Sequence, residues 1–196
     1  MDQKLIDLIQ LGKETRNIEY KRTYNWNDPN HKAKIVKAIL AMSNIRDGGY
    51  LILGVEENNG AFTPIGVPQT DYDLLNTDDI LAFANRFADP YVDIKLHKDL
   101  HEGMLFAVIE VQEFQQYPVV CKSDGAENLR CGSIYTRTRR MYESAVVPSQ
   151  TEMREIIEMA VDKGIREFNR RVSYVGFSTT GQLSVAEQYD QELGGL

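Results

Sequence analysis

The run from Tyr50 to Val55 is the feature that most limits how this chain can fold. It follows Gly48-Gly49 and contains no charged side chain. Successive side chains of a β-strand point to opposite faces of the sheet. An uninterrupted apolar run therefore predicts a strand that is buried on both faces, as in a sheet covered by helices.

Both helices and strands are predicted around this strand. Hydrophobic spacing and capping signals predict helices over 2–12, 31–46 and 77–88, and a helix from the capping box Ser149-Gln-Thr-Glu152 to about 164, with continuation to 171. Alternation and turn signals predict strands within 14–21, 62–67, 91–98, 104–112, 118–122 and 132–137, with Asn58-Asn59-Gly60 as a hairpin turn. The order predicts an α/β (α+β) fold, with a mixed sheet built from hairpins and flanked by helices.

Composition narrows the class of protein. The chain has 196 residues, 42% hydrophobic and 26% charged, which predicts one globular domain rather than wholesale disorder. We place that domain at 1–171 and an acidic, loosely packed or partner-docking tail at 172–196, where Glu187, Asp190 and Glu192 stand without any Lys or Arg. The two cysteines, and the lack of a long apolar segment or N-terminal signal, predict a cytoplasmic protein without a membrane partner. The formal net charge of −7 argues mildly against a general nucleic-acid binder.

The first candidate site is a group of acidic residues with one lysine. In the strand predicted before Lys21, Glu19 and Lys21 share one face. Glu14 lies upstream, and Glu56 and Glu57 follow the apolar run. Converging carboxylates repel one another unless a hard cation neutralises them, and Mg²⁺ or Mn²⁺ suits such an oxygen cluster. The spacing alone leaves a second interpretation open, which is a solvated strand face.

The same residues carry a resemblance to a known family. The chain contains Glu14, four residues and Glu19-Tyr20-Lys21, then Ala41-Met-Ser-Asn44-Ile-Arg-Asp-Gly48-Gly49, the apolar run, Gly54-Val55-Glu56-Glu57, and later Gly132-Ser-Ile-Tyr135-Thr-Arg137. In this order the motifs resemble the Schlafen family core, which is shared with the AlbA-type nucleic-acid-binding domain of bacterial proteins. The resemblance covers roughly 8–160.

The resemblance implies a catalytic site. In nuclease members three acids hold the metal, and their matches here are Glu14, Glu19 and Glu57, with Lys21 beside them. The chain departs from the family pattern by having Glu57 in place of Asp, with Glu56 as an alternative ligand. None of the departures removes a ligand. The resemblance therefore implies an endonuclease that requires Mg²⁺ or Mn²⁺ and cleaves RNA in preference to DNA.

The second candidate site is basic. Arg137, Arg139 and Arg140 fall within four positions of a predicted strand end. Further cations, Lys21, Arg22, Lys32, Lys34 and Lys37, stand early in the chain. If the fold brings them together they would contact a phosphate backbone, and the alternative is scattered surface charge. Tyr24, Trp26 and Tyr142 are candidates for stacking on unpaired bases, although core packing is the commoner role of aromatic residues.

Other classes of function stay open at this point. The alternatives to the endonuclease are a non-catalytic nucleic-acid-binding or regulatory module, and an accessory subunit of a bacterial or phage defence or toxin system. Vertebrate Schlafen cores contain two related lobes that form a groove, and this chain is one lobe long, which predicts a homodimer. The spacings of His97, His101, Cys121 and Cys131 are not those of a zinc module, and we place both histidines in a hairpin turn.

Overall fold

The computed structural model describes residues 3–174, which form five helices and ten strands. Residues 172–174 of the predicted tail belong to the last helix, and the rest of the tail lies outside the described residues. Residue 2, where the first helix is predicted to begin, lies outside them as well. In chain order the elements are α1 (Gln3–Gln10), β1 (Ile18–Lys21), α2 (Pro29–Ser43), β2 (Gly49–Leu53), β3 (Val55–Asn58), β4 (Ala61–Pro64), α3 (Gln69–Leu74), α4 (Thr77–Ala84), β5 (Ala88–Asp89), β6 (Ile94–His101), β7 (Met104–Val111), β8 (Val120–Cys121), β9 (Tyr135–Arg137), β10 (Ser144–Val146) and α5 (Gln150–Tyr174).

A four-stranded sheet in the order β1-β2-β7-β6 forms the centre of the fold. Strands β1 and β2 run parallel, and β7 pairs antiparallel with both β2 and β6. Short two-stranded ladders join β3 to β4, β5 to β8, and β9 to β10. The predicted α+β class, with a mixed sheet rich in hairpins, is confirmed.

Strand β2 is covered on both faces, as its composition predicts. Leu51 and Leu53 pack into the larger core, which contains α2. Ile52, between them, packs into a second core on the opposite face, which contains α1. All three side chains are fully buried. The sheet therefore has one helix layer on each side of its central strand.

Helix α2 begins earlier than the sequence predicts. The Asp28 carboxylate accepts hydrogen bonds from the backbone N–H groups of Asn30 (2.7 Å) and His31 (3.2 Å). Pro29 is the first helical residue, where its missing N–H is harmless because that group has no partner inside a helix. The helix ends at Ser43, before the predicted 46. Starting the predicted helix at 31 was wrong, since Pro29 is a helix-start signal.

Two glycines of the motif are required by close packing. Gly48 has φ +65°, and a Cβ atom there would lie 2.0 Å from the carbonyl oxygen of Val111 in β7. Gly54 has φ +106°, and its Cβ would lie 2.7 Å from the Phe106 ring. At Gly54 the chain leaves the central sheet and enters the β3–β4 hairpin. The predicted turn of this hairpin is confirmed, with positive φ at Asn59 and Gly60.

Several boundaries differ from the predicted ones. Strand β1 contains only its last four residues, because the segment before it folds into a turn bridged by Thr15 and Ile18. His97 and His101 lie in β6, and placing them in the turn was wrong because Glu102-Gly103 alone makes a tight turn with positive φ. Within residues 3–174, no helix combines the length and apolar character needed to cross a membrane.

Candidate functional site

A cleft of about 560 Å³ lies between β1, α2 and the β9–β10 hairpin. Four cationic side chains line it, one from β1, two from α2 and one from β9. They are Lys21, Lys34, Lys37 and Arg137. Four carboxylates line it as well, Glu14, Glu19, Glu127 and Glu143. The cleft is thus strongly polar and close to neutral in formal charge.

Glu19 is the most enclosed acid of the cleft, with 8% of its surface exposed. One carboxylate oxygen lies 2.7 Å from Nη1 of Arg137, and the other lies 3.0 Å from Nζ of Lys21. The hydroxyl of Ser144 donates to the same carboxylate at 3.5 Å. Because β1 places Ile18 and Tyr20 in the opposite core, Glu19 and Lys21 share the cleft face, as the alternation predicts.

Arg137 joins β9 to β1. Its side chain is 2% exposed, and besides the ion pair with Glu19 it donates to the backbone carbonyls of Thr15 (3.4 Å), Arg16 (3.3 Å) and Ile18 (3.3 Å). A buried guanidinium requires this many acceptors, because each N–H left unpaired away from water is costly. The N–H donors of Arg137 are engaged within the protein, and the residue therefore holds β9 against β1. Few of its donors are available for the phosphate contact that the sequence predicts.

Glu14 and Lys21 complete the acidic side of the cleft. Oε1 of Glu14 accepts a hydrogen bond from the backbone N–H of Tyr20 at 3.0 Å and lies 4.0 Å from Nζ of Lys21. The turn before β1 brings Glu14 back over the strand, which a fully extended segment would not do. Three of the four predicted catalytic residues, Glu14, Glu19 and Lys21, therefore meet in one place.

The fourth predicted residue, Glu57, is not part of the wall of this cleft. It stands on β3, where its side chain is exposed. Its neighbour Glu56 pairs with Arg22 at 2.8 Å. Among residues 3–174, no three His, Cys, Asp or Glu side chains are grouped so that they could hold a metal ion. With Glu19 also neutralised by two cations, the three predicted ligands as arranged here do not fit a Mg²⁺ or Mn²⁺ site.

The predicted basic residues divide between the cleft and the rest of the surface. Arg22 forms an ion pair with Glu56, and Lys32 lies over the rings of Trp26 and Phe83, 5.2 and 5.3 Å from their centroids. Neither lines the cleft. Arg139 and Arg140 are both exposed in the turn that joins β9 to β10. The cations that do meet at the cleft are Lys21, Lys34, Lys37 and Arg137.

Lys34 and Lys37 are the α2 cations that do line the cleft. They are three positions apart and so share one face of the helix, whereas Lys32 is on another. Nζ of Lys34 lies 3.7 Å from Glu127, and Nζ of Lys37 lies 5.7 Å from the centroid of the Tyr135 ring. The i,i+3 spacing was the signal that could have separated these two lysines from Lys32.

The aromatic candidates separate by exposure. Tyr24 and Trp26 are 6% and 5% exposed and belong to the core. Burial, followed by the negative charge of Glu19, raises the pKa of Tyr24. Tyr142 is 39% exposed and lines the cleft, at a positive φ in the β9–β10 turn. Tyr24 lines the cleft as well, but of the three aromatic residues only Tyr142 is exposed.

Asn44 of the motif has a role that sequence reasoning missed. It is fully buried after the end of α2. Its amide donates to the carbonyls of Leu40 (3.2 Å), Val119 (2.8 Å) and Tyr135 (2.9 Å), and its oxygen accepts from the Val119 N–H at 2.8 Å. Asn44 therefore fixes β9, and with it Arg137, relative to α2. The amide of Asn44, placed among buried residues at the end of a helix, was the signal in the sequence that could have indicated this role.

A second ion-pair network supports the hairpin from outside the cleft. Arg16 donates to Glu155 of α5 at 2.8 Å and to the backbone carbonyl of Arg137, also at 2.8 Å. Arg139 lies 3.2 Å from the same Glu155 carboxylate. Burial alone would raise the pKa of Glu155, but the Arg16 hydrogen bond and the nearby charges of Arg16 and Arg139 hold it below the ordinary value. Helix α5 is tied to the hairpin through this carboxylate.

Comparisons with known proteins identify a family and two structures to which the chain is similar. The family model described as Schlafen, AlbA_2 matches residues 14–145. The chain is similar in fold to the DIP2311 protein from Corynebacterium diphtheriae, with 15% sequence identity and a TM-score of 0.51. The match covers 78% of this chain and 27% of that one. It is also similar to the N-terminal domain of a protein related to the ATP-dependent DNA helicase RecG from Nitrosomonas europaea, with 22% identity, a TM-score of 0.46, and coverage of 75% of this chain and 94% of that one. No curated protein matches the sequence.

The matched segment runs from the first acid of the cleft to the β9–β10 ladder. It contains β1, α2, the central sheet, Asn44 and Arg137, which are the parts that form and brace the cleft. It covers more than half of the chain, and the resemblance drawn from the motifs is confirmed. This chain belongs to the Schlafen AlbA_2 family.

Proposed function

We propose that this domain binds nucleic acid in the cleft between α2 and the β9–β10 hairpin, with RNA as the expected ligand and DNA as the alternative. The observation that carries the proposal is that Lys34, Lys37 and the exposed ring of Tyr142 line one cleft. Arg139 and Arg140 belong to the turn that holds Tyr142. This set combines cations for phosphates with an aromatic surface for a base.

Each member of the set has a distinct task. Lys34 and Lys37 neutralise phosphate oxygens, and the counterions released by the nucleic acid favour binding. Tyr142 stacks on an unpaired base, a contact worth about 1–3 kcal/mol and tolerant of sequence. The surrounding carboxylates Glu127 and Glu143 repel phosphates and confine the backbone to the lysine side of the cleft. Binding is therefore local, as expected of a chain whose net charge is −7.

The test is a fluorescence-anisotropy titration of a labelled single-stranded RNA at low salt. We expect Lys34→Glu/Lys37→Glu to weaken binding at least tenfold. The matched control, Lys95→Glu/Lys122→Glu, makes the same change in net charge at exposed positions away from the cleft, and we expect less than a threefold loss. Equal losses in the two double variants would overturn the proposal, because the effect would then come from total charge.

Catalysis is a second candidate, favoured by the proximity of Glu14, Glu19 and Lys21. It is the metal-dependent endonuclease that the family resemblance implies, and it requires Glu57 to reach the cleft by a rearrangement of the β3–β4 hairpin. The test is cleavage of structured RNA in Mn²⁺ by the wild type, Glu14→Gln and Glu57→Gln. Glu14→Gln keeps an oxygen for the Tyr20 N–H and removes only the charge.

The nuclease candidate predicts that both substitutions abolish cleavage, while Glu127→Gln, the control within the same cleft, leaves it intact. If the wild type does not cleave, or if all variants cleave alike, the catalytic candidate fails. The binding proposal would stand in either case, since it rests on different residues. A module that binds without cleaving corresponds to the regulatory alternative.

A further inference from the structure

Helix α5 carries an apolar stripe that faces solvent. It consists of Ile157, Val161, Ile165, Phe168 and Val172. Each of these side chains is more than half exposed, and Phe168 is 65% exposed. Their spacing of four, four, three and four residues keeps them on one side of the helix over roughly four turns. Exposed apolar side chains in a continuous row are unusual on an isolated surface and mark an interaction site.

The stripe lies opposite the face by which α5 packs on its own domain. That inner face is formed by Ile156 and Met159, which are 0% and 2% exposed. Lys163 ends it with an ion pair of 2.6 Å to Glu113. From 164 to 172 no residue of the helix is buried. The second half of α5 therefore has no packing partner among the described residues that would account for its apolar side chains.

The charges of α5 divide sharply between its two halves. Residues 150–162 hold four acids and one base, a net charge of −3. Residues 163–174 hold four bases and one acid, a net charge of +3. Cations in the last turn also suit the helix dipole, but that effect falls off within one turn and does not reach Lys163 or Arg166. The helix is thus complementary in charge to a reversed copy of itself.

We propose that two copies of this chain associate through the α5 stripe as an antiparallel helix pair. An antiparallel arrangement sets the −3 half of one copy beside the +3 half of the other, twice, around a two-fold axis. A parallel arrangement would place halves of like charge together, which is unfavourable. Spacings of three and four residues keep the stripe on one side of the helix, as a seam between two packed helices requires.

The first test is the oligomeric state of the full chain, measured by sedimentation velocity over a range of concentrations. We expect a dimer that becomes monomeric in Ile165→Glu/Phe168→Glu. The matched control is Tyr91→Glu/Leu100→Glu, which replaces two side chains that are 75% and 60% exposed elsewhere, and it should stay dimeric. Far-ultraviolet circular dichroism of each variant checks that α5 still folds.

The second test is orientation, read from disulfide crosslinking in a Cys131→Ser background, because Cys131 is exposed. A mixture of Ile157→Cys and Val172→Cys proteins should crosslink to each other, and Val172→Cys alone should not crosslink to itself. Self-crosslinking of Val172→Cys would mean a parallel pair and would overturn the arrangement. A wild type that is monomeric at every concentration would overturn the proposal entirely.

Discussion

Glu19 and Glu57 are both acids of the motifs that carry the family resemblance, but they lie in opposite environments in the fold. Glu19 is 8% exposed and lies within 3.0 Å of both Lys21 and Arg137. Glu57 is exposed on the β3–β4 hairpin. The difference teaches that the motif combines two kinds of acid. One is fixed by burial and ion pairing, and the other is exposed on a hairpin.

The buried acid belongs to a polar junction that joins three elements of the domain. Glu19, Arg137 and Asn44 connect β1, β9 and the end of α2 through hydrogen bonds inside the protein. Polar groups buried in this way stabilise a structure only when all of them are satisfied. Loss of one member should therefore destabilise the whole domain, whereas change at the hairpin should not.

The largest expected effect is that of Arg137→Ala. It leaves the Glu19 carboxylate and three backbone carbonyls without their buried donor, and removal of one partner of a buried ion pair costs about 3–5 kcal/mol. Arg139→Ala is the control, since Arg139 is exposed and its pair with Glu155 is worth less than about 1 kcal/mol. Urea denaturation measures both free energies of unfolding. Similar free energies of unfolding for the two variants would show that the buried contacts of Arg137 do not stabilise the domain.

A smaller loss is expected for Asn44→Ala. The substitution leaves the Val119 N–H and the Tyr135 carbonyl unpaired in the core, at about 1–3 kcal/mol. Asn58→Ala is the matched control, because the Asn58 amide bonds only the exposed Glu56 carboxylate. The same denaturation experiment compares them. If Asn44→Ala unfolds at the wild-type urea concentration, Asn44 does not hold β9 in place.

The Glu155 network predicts a modest dependence of stability on pH. Because the folded pKa of Glu155 lies below the ordinary value of 4.5, its contribution is present above that value and is lost as the pH falls through the lowered pKa. Thermal unfolding of the wild type and Glu155→Gln measures the effect. The wild type should be the more stable near neutral pH, and the two should converge in acid. A difference in unfolding temperature that stays constant with pH would mean that the charge of the Glu155 carboxylate contributes nothing to stability.

The smallest expected effect is that of Glu57→Ala. An exposed side chain on a hairpin changes stability by no more than about 0.5 kcal/mol. Glu19→Ala, the same substitution at the buried acid, should cost several times more. A large loss for Glu57→Ala would show that this acid has a buried partner, and the comparison between the two acids would fail.

The sequence predicts the framework of the fold well, because side-chain period and turn chemistry are local. The apolar run to Val55 predicts a strand covered on both faces, and Asn59-Gly60 predicts the hairpin turn. The common face of Glu19 and Lys21 follows from alternation alone. Each of these depends on residues that are close together in the chain.

The site is predicted less well, because it depends on the directions in which the chain turns and side chains point, which local patterns do not specify. Gly54 adopts a φ of +106°, which turns β3 away from the line of β2 and takes Glu57 out of the cleft wall. Lys32 and Lys34 look alike as charges, but the helix places them on different faces. The internal acceptors of Arg137 come from residues more than 115 positions away, and no spacing rule anticipates them.

We propose that the domain binds nucleic acid without a metal. The most direct measurement is the affinity of the wild-type chain for single-stranded RNA in EDTA and in Mn²⁺, at the same ionic strength. Binding through Lys34, Lys37 and Tyr142 predicts the same dissociation constant in both solutions, with an affinity that falls as salt is added. Binding that appears only with Mn²⁺ would contradict the account and would show that the acids of the cleft assemble around a metal.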